Sequence, residues 1–392
     1  MNYRRFGKLD WQPSALGFGC MRLPTTDGKS MSAAIDEADA IRMIRRAIDQ
    51  GVNYVDTAYV YHGGRSETIT GKALGDGFRQ KVRVATKSPV WLIKETADFD
   101  KYLAEQLQRL DTDHIDFYLL HGLGSRSWRG TVLKLNLLQQ AEKALHDGRI
   151  GHLGFSFHDR HEAFLEIVDG YDRWTFCQIQ YNYLDIENQA GTAGLKHAAA
   201  KGLAVVVMEP LLGGKLARPP APVKEMLAAA APPRAPAEWA LQWIWDQPEV
   251  SLLLSGMSTM EQVEQNLASA GRSATGSFTA ADQAVIARLR EAYRGLMPIR
   301  CTRCHYCMPC PNGVEIPQNF DLYNDGFVHQ DLEVQRNIYT RFLDESERAG
   351  ACTGCKACEE KCPQQLPISD WMKKVREVLG DGKPYPREKE PK

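Results

Sequence analysis

Cysteine is scarce through most of this 392-residue chain: of ten cysteines, only Cys20 and Cys177 precede residue 300. A disulfide framework is thereby excluded for the larger part, whose stability must come from a buried apolar core. No sign of charge dominates, with 48 Lys and Arg against 49 Asp and Glu and a formal charge of -1. That balance gives no footprint for nucleic acid or for an anionic membrane. Long hydrophobic runs are missing too. No stretch approaches the roughly 18 apolar residues that span a bilayer, and the opening "MNYRRFGKLD" is polar where a signal peptide would be apolar. A reducing, cytoplasmic setting is the default expectation, and there clustered cysteines point to metal before disulfides.

Eight of the ten cysteines follow residue 300, and the composition changes near Pro298. The length suits one large domain, 1–297, and one small one, 298–392. Within the first, short β-branched runs alternate with segments of helical period, the pattern of β/α units around a parallel sheet. The runs are "SALGFG" (14–19), "NYVDTA" (53–58), "VRVATK" (82–87), "IDFYLLH" (115–121), "HLGFSF" (152–157), "FCQIQY" (176–181), "LAVVVME" (203–209) and "VSLLLSG" (250–256). Eight such strands close a (β/α)8 TIM barrel. Amphipathic segments such as "AIDEADAIRMIRRAIDQG", ending at Gly51, supply its outer helices, and 279–295 supplies the last. The Pro- and Ala-rich stretch 213–236 is expected as a long loop after strand seven.

In such a barrel the chemistry sits at the C-terminal ends of the strands. Asp56 ends strand two, Tyr61 follows in the next loop, Lys87 ends strand three and His121 ends strand four. Singly, each has an ordinary reading as cap, core or solvated residue. Jointly they make a proton-delivery site. A phenol with an ordinary pKa of about 10 is a poor acid or base near neutrality until a cation favours its anion. Lys87 is the expected cation, Asp56 its anchor, and His121 a hydrogen-bond donor to a carbonyl oxygen.

These residues, with "YRRFGKLDWQPSALGFGCMRLP", "NYVDTAYVYHGGRSE", "VATK" and "DFYLLH" around them, resemble the aldo-keto reductase family over residues 1–297. The resemblance implies NAD(P)H-dependent reduction of a small-molecule aldehyde or ketone, with Tyr61 as general acid. It places Ser156 and Gln178 at the nicotinamide carboxamide, although Phe157 stands where the family has Asn. Met208 takes the place of the aromatic residue that stacks on the nicotinamide. "SGMSTMEQVEQNLA" resembles the phosphate-binding turn and helix of the family, with Gly256, Ser258, Gln262, Gln265 and Asn266 as candidate contacts. NADPH-selective members carry Lys or Arg at this turn to meet the 2′-phosphate. Met257, Ser258 and Thr259 stand here instead, so weakened NADPH selectivity is the expectation and NADH becomes an option.

The tail holds two runs: Cys301, Cys304, Cys307 and Cys310-Pro311, then Cys352, Cys355, Cys358 and Cys362-Pro363. Thiols at three-residue steps do not divide into the paired C-x2-C sets of structural zinc. Three close thiolates with a remote fourth before proline is the [4Fe-4S] arrangement. The tail resembles helical two-cluster ferredoxin modules, in which the Cys before Pro serves the other cluster. That resemblance implies one cluster on Cys301, Cys304, Cys307 and Cys362, and the other on Cys352, Cys355, Cys358 and Cys310. The first run departs from the usual spacing by having two residues, not three, before its last cysteine.

A nicotinamide carries two electrons as hydride and a cluster passes one, so direct exchange requires a flavin or a substrate radical between them. No Gly-rich flavin motif occurs in the sequence, although a barrel can bind FMN at its phosphate site. Three uses therefore compete: an enzyme whose clusters connect to a ferredoxin-like electron carrier, an enzyme whose clusters only staple the tail, and a nucleotide-binding redox or oxygen sensor without carbonyl turnover. Trp128, in "HGLGSRSWRG", is a candidate wall of the substrate site or part of an ordinary exposed loop. Cys20 and Cys177 are expected to be buried, inert thiols.

Overall fold

The structure, a computed structural model, describes residues 1–301 and 305–386. The chain groups into two compact units, Met1–Ala217 with Arg234–Ala280 and Arg218–Pro233 with Ala281–Lys392. In the first, eight parallel strands close into a barrel in chain order. They are β1 (Leu16–Gly19), β2 (Tyr54–Asp56), β3 (Arg83–Ser88), β4 (Ile115–Leu123), β5 (Ile150–Phe157), β6 (Phe176–Gln180), β7 (Ala204–Met208) and β8 (Val250–Gly256). All eight expected strands are present. Runs such as "AVVVM" in β7 are apolar on both faces because one face fills the barrel and the other meets helices.

The helix Glu37–Asp49 buries Ala40, Met43, Ile44, Ala47 and Ile48, the spacing of a single helical face. It starts at Asp36, whose carboxylate accepts from the Asp39 amide at 3.1 Å. At the N-terminal ends of the strands, Phe6 plugs the barrel, its ring 4.8 Å from Phe117 and 5.7 Å from Phe176. Tyr54, Leu252 and Leu254 complete that layer. The apolar plug leaves polar side chains to the opposite, C-terminal ends.

Two expectations change. The stretch 213–236 contains a helix, Ala221–Ala228, with Pro222 in its first turn, where a missing amide proton breaks no helical bond. The position of Pro222, together with the helix formers Lys224, Glu225, Met226 and Leu227, outweighs the composition of the segment. Trp128 is neither a wall nor exposed: it is buried in the turn Trp128–Leu133, 6.2 Å from the Trp174 ring.

The second unit contains the helices Ile316–His329, Leu332–Phe342 and Ile368–Val375 around a core that includes Phe320, Tyr323, Tyr339, Met372 and Val375. Each Cys-Pro pair is followed, six residues after its cysteine, by an isoleucine that opens a helix: Cys310 by Ile316 and Cys362 by Ile368. Two buried asparagines fix irregular backbone. Asn324 exchanges hydrogen bonds with the amide and carbonyl of Ile299 at 3.0 and 2.8 Å. Asn319 donates to Glu315 O and Glu347 O and accepts from the Ala349 amide. Among the described residues no helix is long and apolar enough to cross a membrane.

Candidate active site and iron-sulfur sites

Asp56, Tyr61, Lys87 and His121 meet at the C-terminal ends of β2 to β4. Lys87 Nζ donates to Asp56 Oδ1 at 2.5 Å and to Thr57 O at 2.7 Å, and lies 5.0 Å from the centre of the Tyr61 ring. The His121 ring stands edge-on to Tyr61 at 6.0 Å. Asp56, Lys87 and Tyr61 are buried and His121 half-buried. Burial disfavours the Lys87 ammonium, but Asp56 and Tyr61 more than offset this and hold its pKa above the ordinary value.

The Tyr61 phenol differs from expectation. Burial raises its pKa by more than the Lys87 ammonium lowers it, so Tyr61 keeps its proton around neutrality. Such a phenol suits donation, not abstraction. Burial and repulsion from Lys87 and His158 push His121 well below the ordinary imidazole range. It is therefore neutral at pH 7, and its buried Nδ1 has no hydrogen-bond partner among the described residues.

Local structure holds these groups in place. Directly after Tyr61 the chain turns through left-handed His62 (φ 53) and Gly63 (φ 64). His62 fixes that turn: its Nδ1–H donates to Ser32 O at 2.7 Å, which leaves Nε2 to accept from the Leu23 amide at 3.2 Å. Behind Lys87, the buried Glu67 carboxylate accepts from Thr86 Oγ1 and Gln106 Nε2, both at 2.6 Å. Gln106 Nε2 also donates to Lys87 O at 3.1 Å, and its Oε1 accepts from Tyr118 OH at 2.7 Å. Sequence reasoning missed His62, Glu67 and Gln106, which come from segments with no strand-end signature.

On the cofactor side, Ser156 and Gln178 face each other across β5 and β6. Ser156 Oγ accepts from the Gly122 amide at 2.8 Å, where β4 bulges and Gly122 takes φ +63. Gln178 Nε2 is 3.6 Å from Met208 Sδ, while its buried Oε1 has no partner among the described residues. That orphaned acceptor fits an amide donor such as a carboxamide. Phe157 points away, its ring 5.1 Å from Phe164. At the turn after β8, Ser258 N donates to Gln262 Oε1 at 2.8 Å, and Gln265 donates to Glu261 at 2.9 Å. Asn266 is buried and donates to Ser255 Oγ at 2.9 Å, which fixes the helix Met260–Ala270 to β8.

Two further side chains reach this end of the barrel without any sequence signal. Trp91, 48% exposed, lies 4.9 Å from the His121 ring. Arg22, from the turn Cys20–Arg22 after β1, lays its stem across Gly256. Cys20 and Cys177 are buried as expected. Burial pushes the Cys20 thiol up to about 12 and that of Cys177 higher still.

In the second unit the described cysteines line two hollows. Cys352, Cys355 and Cys358 line the first, joined by Cys310 from the other run. Cys301, Cys307 and Cys362 line the second. Cys304 lies outside the described residues. Ile316 and Ile368 line both hollows and form a shared wall. Among the described residues no cysteine is joined in a disulfide. Among the described residues no three His, Cys, Asp or Glu converge tightly enough to hold a single ion. Thiols placed around a hollow fit a polynuclear cluster, whose ligands stand on its corners. Asn312 Nδ2 lies 3.8 Å from Cys355 Sγ, an outer contact of the kind that tunes such sulfurs.

Comparison with known proteins agrees with this anatomy. Residues 15–286 match the aldo/keto reductase family and residues 300–367 match a 4Fe-4S dicluster domain. The chain therefore belongs to the aldo/keto reductase family and carries a C-terminal 4Fe-4S dicluster domain. Among its relatives is the uncharacterized oxidoreductase YqkF of Bacillus subtilis, 27% identical over 303 residues, covering 69% of this chain and 91% of that protein. L-galactose dehydrogenase of Arabidopsis thaliana is 27% identical over 286 residues, 68% of this chain and 86% of that one. In structure, the holo form of aldo-keto reductase AKR11C1 from Bacillus halodurans superposes with a TM-score of 0.61 at 28% identity, covering 74% of this chain and 96% of that chain.

Proposed function

We propose that the barrel reduces an aldehyde or ketone at the expense of NADH or NADPH, with Tyr61 as the proton donor. The observation that carries this reading is the buried Lys87–Asp56 ion pair beneath the Tyr61 ring, with neutral His121 at its side. The nicotinamide, when bound, supplies hydride to the carbonyl carbon. Gln178 Oε1 and the neighbouring Ser156 would hold its carboxamide. As negative charge develops on the carbonyl oxygen, Tyr61 transfers its phenolic proton to it, and the Lys87 ammonium stabilises the phenolate left behind. Asp56 keeps Lys87 charged and aimed. His121 orients the carbonyl by hydrogen bonding, and Trp91 offers an apolar face to the rest of the substrate.

In the dicluster domain, Cys301, Cys304, Cys307 and Cys362 hold one [4Fe-4S] cluster, and Cys352, Cys355, Cys358 and Cys310 hold the other. The grouping of thiols around the two hollows supports this crossed ligation. Crossing makes each cluster a covalent link between the two cysteine runs. The shared Ile316 and Ile368 wall would set the two clusters side by side, and they would supply one-electron transfer there.

The test uses anaerobically purified, cluster-loaded protein. NADH or NADPH should be oxidised with at least one member of an aldehyde and ketone panel. Tyr61→Phe should stop turnover while nucleotide binding persists. Full turnover by that variant overturns the assignment of Tyr61.

A further inference from the structure

We propose that Arg22 supplies the cation for a phosphate group of the dinucleotide, from the end of β1, in place of a basic residue on the turn after β8. This rests on the cofactor reading above. The turn from Gly256 to Thr259 carries no Lys or Arg. Part of its hydrogen-bonding capacity is internal: Ser258 N donates to Gln262 Oε1, and Gln262 N donates to Thr259 Oγ1. Nothing in the turn itself neutralises a phosphate.

Strand β1 pairs with β8 so that Gly19 lies opposite Gly256, and Arg22 follows three residues later. The Arg22 stem occupies the space a side chain at Gly256 would take, because a Cβ built there would stand 3.1, 3.3 and 3.4 Å from Arg22 Cβ, Cγ and Cδ. Its guanidinium reaches the loop after β7, where a Cβ on Gly213 would stand 3.3 Å from Nη2. The Arg22 carbonyl accepts from Ser258 Oγ at 2.8 Å, which ties its backbone to the turn. Nη1 donates to the neutral hydroxyl of Ser30 at 2.9 Å.

Glycine on both sides thus leaves a planar, permanently charged group with open backbone around it, the geometry in which guanidinium pairs bidentately with phosphate. Only one side chain can fill the space over Gly256, so Arg22 and a cation at position 256 are alternatives. The lack of a base in the turn is then no sign of a lost phosphate site.

The experiment is calorimetric titration of the full, cluster-loaded chain with NADH and with NADPH under anoxia. Arg22→Ala should raise Kd about tenfold or more for at least one of them. An equal loss for both assigns the diphosphate as the partner, and a loss confined to NADPH assigns the 2′-phosphate. Gly256 has no left-handed φ, and all three Arg22 atoms that crowd its Cβ position are lost in Arg22→Gly. The double variant Arg22→Gly with Gly256→Lys should therefore regain most of the lost affinity. Unchanged Kd for both nucleotides in Arg22→Ala overturns the proposal, as does a loss that the double variant fails to recover while the circular dichroism of the barrel is intact. Failure of the unsubstituted protein to bind either nucleotide overturns the cofactor reading and this inference together.

Discussion

At the barrel end, Asp56, Tyr61, Lys87 and His121 are gathered from three consecutive strands and one loop, and a buried ion pair holds them. Around one hollow of the second unit, Cys352, Cys355 and Cys358 come from one run and Cys310 from the other, and around the second, Cys301 and Cys307 come from one run and Cys362 from the other. The first arrangement is preformed by packing: Lys87 and Asp56 meet because β2 and β3 are neighbours, and burial sets the protonation states of Tyr61 and His121. The second depends on the ligand, because thiolates brought together without iron repel one another. The barrel site should therefore respond to substitution mainly in activity and local stability, and the dicluster domain mainly in metal content and folding.

The largest effect that would sharpen this contrast is in turnover. Tyr61→Phe should lower carbonyl reduction by about 10²–10⁴-fold with the iron and sulfide content unchanged. Next, Lys87→Met leaves the Asp56 carboxylate buried without its partner, which should destabilise the barrel by about 3–5 kcal/mol in denaturant titration. A neutral effect would show that the pair is not what holds the site.

In the second unit the contrast is tested by counting iron. Cys310→Ser combined with Cys352→Ser should remove only half the iron, because both belong to one crossed cluster. Cys301→Ser combined with Cys310→Ser should remove nearly all of it. The reverse result would establish uncrossed ligation.

The smallest effect concerns pH. His121 has a folded pKa below its unfolded value of about 6.5, so the unfolded chain binds a proton that the folded chain refuses. Its contribution to stability is whole above pH 6.5 and declines as pH falls below it. His121→Gln should flatten the fall of Tm in acid by on the order of a few degrees. The raised pKa of Tyr61 predicts that turnover does not decline through loss of its proton until pH exceeds about 10.

Eight strands and the four polar residues at their ends were legible because strand periodicity and strand-end position are local properties. The cysteine runs were legible because thiol spacing is itself the signature of a cluster. Trp128 was misread since an aromatic in a polar, Gly-rich loop carries no sign of the Trp174 ring that buries it. The Ala221–Ala228 helix was missed because proline content was weighed without its position in the first turn.

The sequence by itself determined the alternation that closes a barrel, the residue types of the site and the chemistry of the tail, all of which depend on neighbours within a few positions. Tertiary structure decided which distant side chains share one volume and whether a phenol keeps its proton. Arg22 and Gly256 are 234 positions apart in the chain, yet closure of β1 onto β8 gives them one shared volume. Burial of Tyr61 likewise comes from the folded surroundings, and desolvation there outweighs the nearby charge that the sequence had suggested would dominate.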